Sequence, residues 1–138
     1  MRPDEHRVAR GWRFDVTEGT VTLVAIDFAL SLDVFVDLEA TLRVRIESAF
    51  EIESGGTVER VEWSTPAGLG RFADLYGVSV SRIDVDDVGV LGVALGDGRV
   101  LRVIADGEYE AFEVGPTDGS WLLVGSPGGG VAQWSLSD

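Results

Sequence analysis

The chain contains no cysteine and no lysine, and only one histidine. Without cysteine there is no disulfide framework, no thiolate-held zinc or iron–sulfur cluster and no thiol nucleophile. His6 has no second histidine with which to share a metal, and a Ser-His-Asp arrangement would have to recruit it from the N-terminal stretch. With lysine missing, all 11 basic residues are arginine, set against 24 acidic ones for a net charge of −13. That balance repels phosphate and so argues against nucleic acid or an anionic membrane as partner. It suits a basic protein partner, and equally serves solubility alone. No apolar run reaches the ~18–20 residues of a membrane-spanning helix. The opening MRPDEHRVARGWR is polar where a secretory signal carries its apolar segment, so the expected location is the cytoplasm.

What is present is a β-rich pattern. Hydrophobic residues make up 45% of 138, enough to give one domain a core. The strongest local signal is Gly96-Asp97-Gly98 between two apolar runs over 88–105, a hairpin with the glycines that tight turns need. Residues 1–13 are expected as a flexible or helical N-terminal segment, and 14–138 as a single β-rich domain. Strand pattern begins at Thr20, and its phase switches near Ala25–Asp27, which predicts a bulge or bend. Ala40–Ile52 alternates as one long half-buried strand, with Leu42, Val44, Ile46, Phe50 and Ile52 inward. Val58, Val61 and Trp63 mark a further short strand after Gly55-Gly56. Thr65-Pro66 reads as an N-cap and first helical residue, and Leu69, Phe72, Ala73 and Tyr76 fall on one helical stripe closed by Gly77. Strands follow over 78–85, 88–95, 99–105, 109–114, 121–125 and 131–135, joined by short turn-rich links.

A shift of 59 positions aligns the two strand regions: Val21 with Val80, Leu32 with Leu91, and Leu42-Arg43-Val44 with Leu101-Arg102-Val103. The same shift places Phe50 on Tyr109 and Glu51 on Glu110, and predicts a first turn at Asp37-Leu38-Glu39. An internal repeat over 20–53 and 79–112 is the expectation. The fold class is therefore α+β, predominantly β: a bent antiparallel sheet or β-roll from two related hairpin units plus one short helix.

No residue set meets the requirements of catalysis, and none implies a cofactor or a metal. Asp84, Asp86 and Asp87 lack the spacing of a calcium loop and read as a charged sheet-edge bend. Glu108, Glu110 and Glu113, beside Tyr109 and Phe112, read as acids on a solvated strand face. Ser126–Gly130 lacks the lysine and the helix of a phosphate-binding loop. Trp12, Trp63, Trp121 and Trp134 are expected in the core or on a sheet face. The candidate functional surface is Asp84, Asp86, Asp87, Glu108, Glu110, Trp121 and Trp134.

Four sets of residues form motifs: Gly19, Val21, Val24, Asp27, Leu30 and Leu32; Val44, Ile46, Glu47 and Phe50; Asp97-Gly98 with Leu101 and Val103; and Tyr109-Glu110-Ala111-Phe112, Pro127-Gly128-Gly129 and Trp134. Together they resemble a family of small β-rich proteins of unknown function found in actinobacteria. Phe112 stands where the family pattern has Trp. The resemblance brings no activity or ligand, and implies an accessory or immunity-like role. The leading expectation is a non-catalytic acidic module that binds a basic protein. The alternatives are a carrier with an apolar cavity lined by Phe28, Leu42, Val44, Phe50, Leu101 and Val103, and an enzyme using Asp86 or Glu110. Unpaired sheet edges also allow a homodimer. Trp134→Ala tests burial: a buried ring would cost ~3–5 kcal/mol.

Overall fold

A computed structural model describes residues 1–38, 40–62 and 64–136. Glu39 of the expected first turn and Trp63 of the expected strand lie outside the described residues. Among the described residues a 3-10 turn, Pro3–His6, leads into twelve strands and one helix. In chain order these are β1 (Arg7–Val8), β2 (Gly11–Ile26), β3 (Leu30–Asp37), β4 (Ala40–Ile46), β5 (Phe50–Ser54), β6 (Thr57–Val61), α1 (Pro66–Ala73), β7 (Ser79–Asp86), β8 (Leu91–Leu95), β9 (Val100–Val103), β10 (Phe112–Pro116), β11 (Trp121–Gly125) and β12 (Val131–Ser135). The chain thus enters the sheet at β1 and β2, ahead of the boundary at 14 read from the sequence.

All strands belong to one antiparallel sheet, ordered β12-β11-β10-β4-β3-β2-β7-β8-β9-β5-β6, with β1 on β2. It is open, ending in β12 on one side and β6 on the other. Phe14 of β2 nonetheless stacks on Trp121 of β11 with ring centroids 5.6 Å apart. Four strand spacings separate them in the order, about 19 Å across a flat sheet. The sheet therefore curls over its own inner face, and one core forms from Phe14, Leu32, Val44, Ile83, Leu101, Phe112 and their neighbours.

The order has a mirrored plan about the β2–β7 pair. Leu32 faces Val44 across β3 and β4, and 59 positions on Leu91 faces Val103 across β8 and β9. β5 then leaves β4 to pair with β9, while β10 pairs with β4. β12 is the strand beyond this mirrored set.

Several local expectations are corrected. Of the bulge or bend expected near Ala25–Asp27, the chain makes the bend: Asp27 accepts from Ala29 N through Oδ1 at 2.9 Å and closes the β2–β3 link. The bulge lies between Val21 and Leu23. Ala40–Ile52 is two strands, because Glu47-Ser48-Ala49 turns the chain from β4 toward β9, and Ser48 Oγ donates to Ala49 O. Alternation survives the break since both pieces face the same core. The expected strand over 109–114 is displaced to β10, Phe112–Pro116. Asp106 Oδ1 accepts from Glu108 N and Tyr109 N at 2.8 and 3.2 Å, and this local turn withholds those residues from the ladder. Tyr109 is consequently exposed whereas Phe50 is buried, and the two do not occupy equivalent places.

The helix starts as its sequence indicates, with Thr65 Oγ1 accepting from Gly68 N at 3.0 Å and Pro66 in the first turn. Its end is tightened: Leu75 N donates to Phe72 O and Tyr76 N to Ala73 O, bonds of the i to i+3 kind. That rotation sends Leu75 into the core beside Phe72 and leaves Tyr76 and Ala73 outside, a correction to the expected stripe. Phe72 meets Phe50 edge-on at 5.9 Å, so α1 covers the core beside β5.

Candidate functional site

Cross-strand register defines what the sheet shows to solvent. On the β2-to-β12 side one outward row runs Leu23, Asp33, Arg43, Gly115, Leu122, Trp134, and the next Ala25, Ser31, Arg45, Glu113, Val124, Ala132. Arg43 grips Asp33 with two bonds, Nε to Oδ1 at 2.7 Å and Nη2 to Oδ2 at 3.0 Å. Asp33 is almost wholly buried, and its hydrogen bonds and charge raise the Arg43 guanidinium further above its ordinary value. On the other side a row runs Arg13, Asp84, Gly92, Arg102, Glu51, Arg60. Arg43 and Arg102 hold matching positions, but Gly92 stands where Asp33 does, and Arg102 pairs with Glu53 at 2.8 Å instead.

The acidic candidates divide. Asp84 lies in β7 and is ion-paired to Arg82 at 2.8 Å, facing Arg13. Asp86 Oδ1 accepts from Val88 N and Val90 N, so this carboxylate shapes the β7–β8 turn. Asp87 reaches Arg7 at 2.8 Å. Three neighbours in sequence therefore point to three different partners. Glu108 and Glu110 are exposed in the β9–β10 link, and among the described residues neither has an ion pair.

Backbone bonds bring three of these loops to one end of the sheet. Gly130 N donates to Val88 O at 3.1 Å and Gly128 N to Asp106 O at 2.7 Å, tying the β11–β12 link to both the β7–β8 turn and the β9–β10 link. Glu47 N donates to Ala111 O, which adds the end of β4 to the group, and Arg45 reaches both Asp27 and Glu47. Asp86, Asp87, Glu108 and Glu110 thus share one end with Glu47, Glu113 and Asp27. Partial burial and the nearby carboxylates of Glu47 and Glu110 push the Glu113 carboxyl above its ordinary range, against the pull of Arg45. Phe28, 95% exposed, and Tyr109, 66% exposed, stand at this end, together with Val88. The place of Glu47 and Phe28 at this end was hidden in the sequence, because only the strand order brings the β2–β3 turn beside the β9–β10 link.

Both tryptophans of the candidate surface are placed by β11 and β12. Trp121 is buried, stacked on Phe14, with Nε1 donating to Met1 O at 3.0 Å; it is a core residue and is removed from the surface set. Trp134 is 62% exposed on the outward row, the sheet-face rather than the core alternative.

The carrier set also fails. Leu42, Val44, Phe50, Leu101 and Val103 are buried in the core, while Phe28 projects into solvent from the β2–β3 turn. They line none of the hollows described. The largest hollow described, about 570 Å³ and open, lies between Met1–Asp4 and β12. Asp86 and Glu110 line none of the hollows described.

An open, curled, all-antiparallel sheet with one covering helix, with acidic loops and exposed aromatics gathered at one end, defines a small β-sheet domain. Residues 12–135 match the model of a family of unknown function (DUF6188), and the chain belongs to that family. No curated protein and no solved structure matches it. No helix among the described residues is long and apolar enough to cross a membrane.

Proposed function

We propose that the protein is a non-catalytic binding module of the cytoplasm, immunity-like in role, that docks a basic protein on its acidic loop end. The observation that carries this reading is the pairing of free acids with exposed aromatics. Glu108, Glu110 and Glu113 have no ion pair among the described residues, and Tyr109 and Phe28 stand beside them in solvent. Aromatic anchors inside a charged rim are the usual composition of a protein-binding hot spot. Elsewhere several carboxylates on the sheet faces are balanced by arginine, as in the Asp84–Arg82 and Glu53–Arg102 pairs. A partner rich in arginine or lysine would supply the missing charge, and the same end would repel nucleic acid.

The test is affinity capture from the native host at low and high salt, with the wild type beside a Glu108→Gln, Tyr109→Ala, Glu110→Gln protein. A basic protein retained by the wild type, released by salt and lost by the variant supports the reading. Retention that neither salt nor the variant alters counts against it.

A further inference from the structure

The two open edges of the sheet are not alike. β6 (Thr57–Val61) carries Glu59 and Arg60, and Glu59 is held by Arg71 of α1 at 2.7 Å. A charged edge strand resists pairing with another chain. β12 reads Val-Ala-Gln-Trp-Ser and carries no charge, in a molecule of net charge −13.

The direction of its free groups follows from the ladder. Leu136 N donates to Ser120 O, and Ser126 N to Gly130 O, so the even-numbered residues of β12 bond to β11. Val131, Gln133 and Ser135 consequently turn their N–H and C=O groups outward. This outward set is symmetric about Gln133.

We propose that β12 pairs with β12 of a second copy, antiparallel, on a two-fold axis at Gln133. Val131 then lies opposite the second copy's Ser135, and Gln133 opposite Gln133, each opposed pair exchanging two backbone hydrogen bonds. Every outward group of the strand is satisfied at that register, and a slip of two residues leaves one pair unmade. On the outward face Ala132 comes opposite Trp134, a small residue beside a large ring, which covers the exposed indole. No like charges meet along the strand. Long-range repulsion between two acidic molecules opposes it, so added salt strengthens this contact, whereas it weakens a contact with a basic protein. The inference is independent of the function proposed above.

The test is sedimentation of the full chain from micromolar to near-millimolar concentration, at low and high salt. The expected result is a monomer–dimer equilibrium that shifts toward dimer with salt. Because Gln133 faces itself, Gln133→Glu and Gln133→Lys should each weaken the dimer by ~5–10-fold. An equal mixture of the two should restore it as a heterodimer. Melting curves confirm that each variant is folded. A wild type that stays monomeric throughout overturns the proposal, as does a dimer that neither substitution weakens, or a mixture that fails to restore it.

Discussion

Asp33 and Arg43 share two short hydrogen bonds but not one environment, since the Asp33 side chain is 10% exposed and that of Arg43 48%. The consequences of losing either partner are therefore unequal. Arg43→Met leaves a carboxylate buried without its donors and should cost ~2–3 kcal/mol in denaturant unfolding. Asp33→Ala leaves a guanidinium that swings into water, and should cost less than Arg43→Met. Equal costs would mean that Asp33 finds other donors. Glu113 makes a prediction of opposite sign. Its carboxyl is raised above 4.5 in the folded state by burial and by Glu47 and Glu110. The folded protein thus holds that proton more tightly than the unfolded chain does. The stabilisation is complete below pH 4.5 and is lost as pH rises through the raised value. Glu113→Gln should accordingly melt higher than the wild type at neutral pH, and the gap should close as pH falls toward 4.5. The tryptophans separate by burial. Trp121→Ala should cost ~3–5 kcal/mol, and Trp134→Ala under ~1 kcal/mol, by urea unfolding of the monomer.

At the scale of elements, the parts set by short-range chemistry are the parts legible in the sequence. Gly98 at φ 93° closes the β8–β9 turn, and β11 and β12 span the residues that their alternation and flanking turns indicate. Thr65 caps α1 as its position before Pro66 requires. Thr65→Ala should lower stability by ~1 kcal/mol with the rest of the fold unchanged in circular dichroism. A smaller loss would show that packing of Phe72 and Leu75 alone holds the helix. What was illegible depended on contacts far apart in sequence. The departure of β5 from β4 leaves no mark, because alternation continues in phase through Ser48. The acidic loop end was visible as residue types, at Asp86, Asp87, Glu108 and Glu110. Its assembly was not, because it rests on backbone bonds such as Gly130 N to Val88 O that side-chain patterns do not encode. Glu113 was read as solvated, and its neighbours, Arg45 of β4 and Glu47 just beyond that strand, are distant in sequence.

At the scale of the molecule, the strand order governs how the chain can be divided. β2 pairs with β7, β4 with β10 and β5 with β9, so every one of these contacts joins the first half of the chain to the second. A fragment holding β1–β6 keeps the β2–β3–β4 meander and the β5–β6 hairpin, but nothing that pairs one with the other. A fragment holding α1 and β7–β12 likewise keeps two separate meanders. Neither buries the inner face that curling creates, since Phe14 needs Trp121 and Phe50 needs Phe72 from across the division. Isolated two- and three-stranded pieces without a covered apolar face are marginal in water. Fragments divided between β6 and α1 should therefore be unfolded alone and regain the sheet signal when mixed, a result read by circular dichroism and tryptophan emission. The same exchange of partners puts distant pairing before any half can close, which predicts slower folding than for a local meander of equal length. A first-half fragment that folded cooperatively alone would show that β5 can stay beside β4, and that the crossing to β9 is a choice made late.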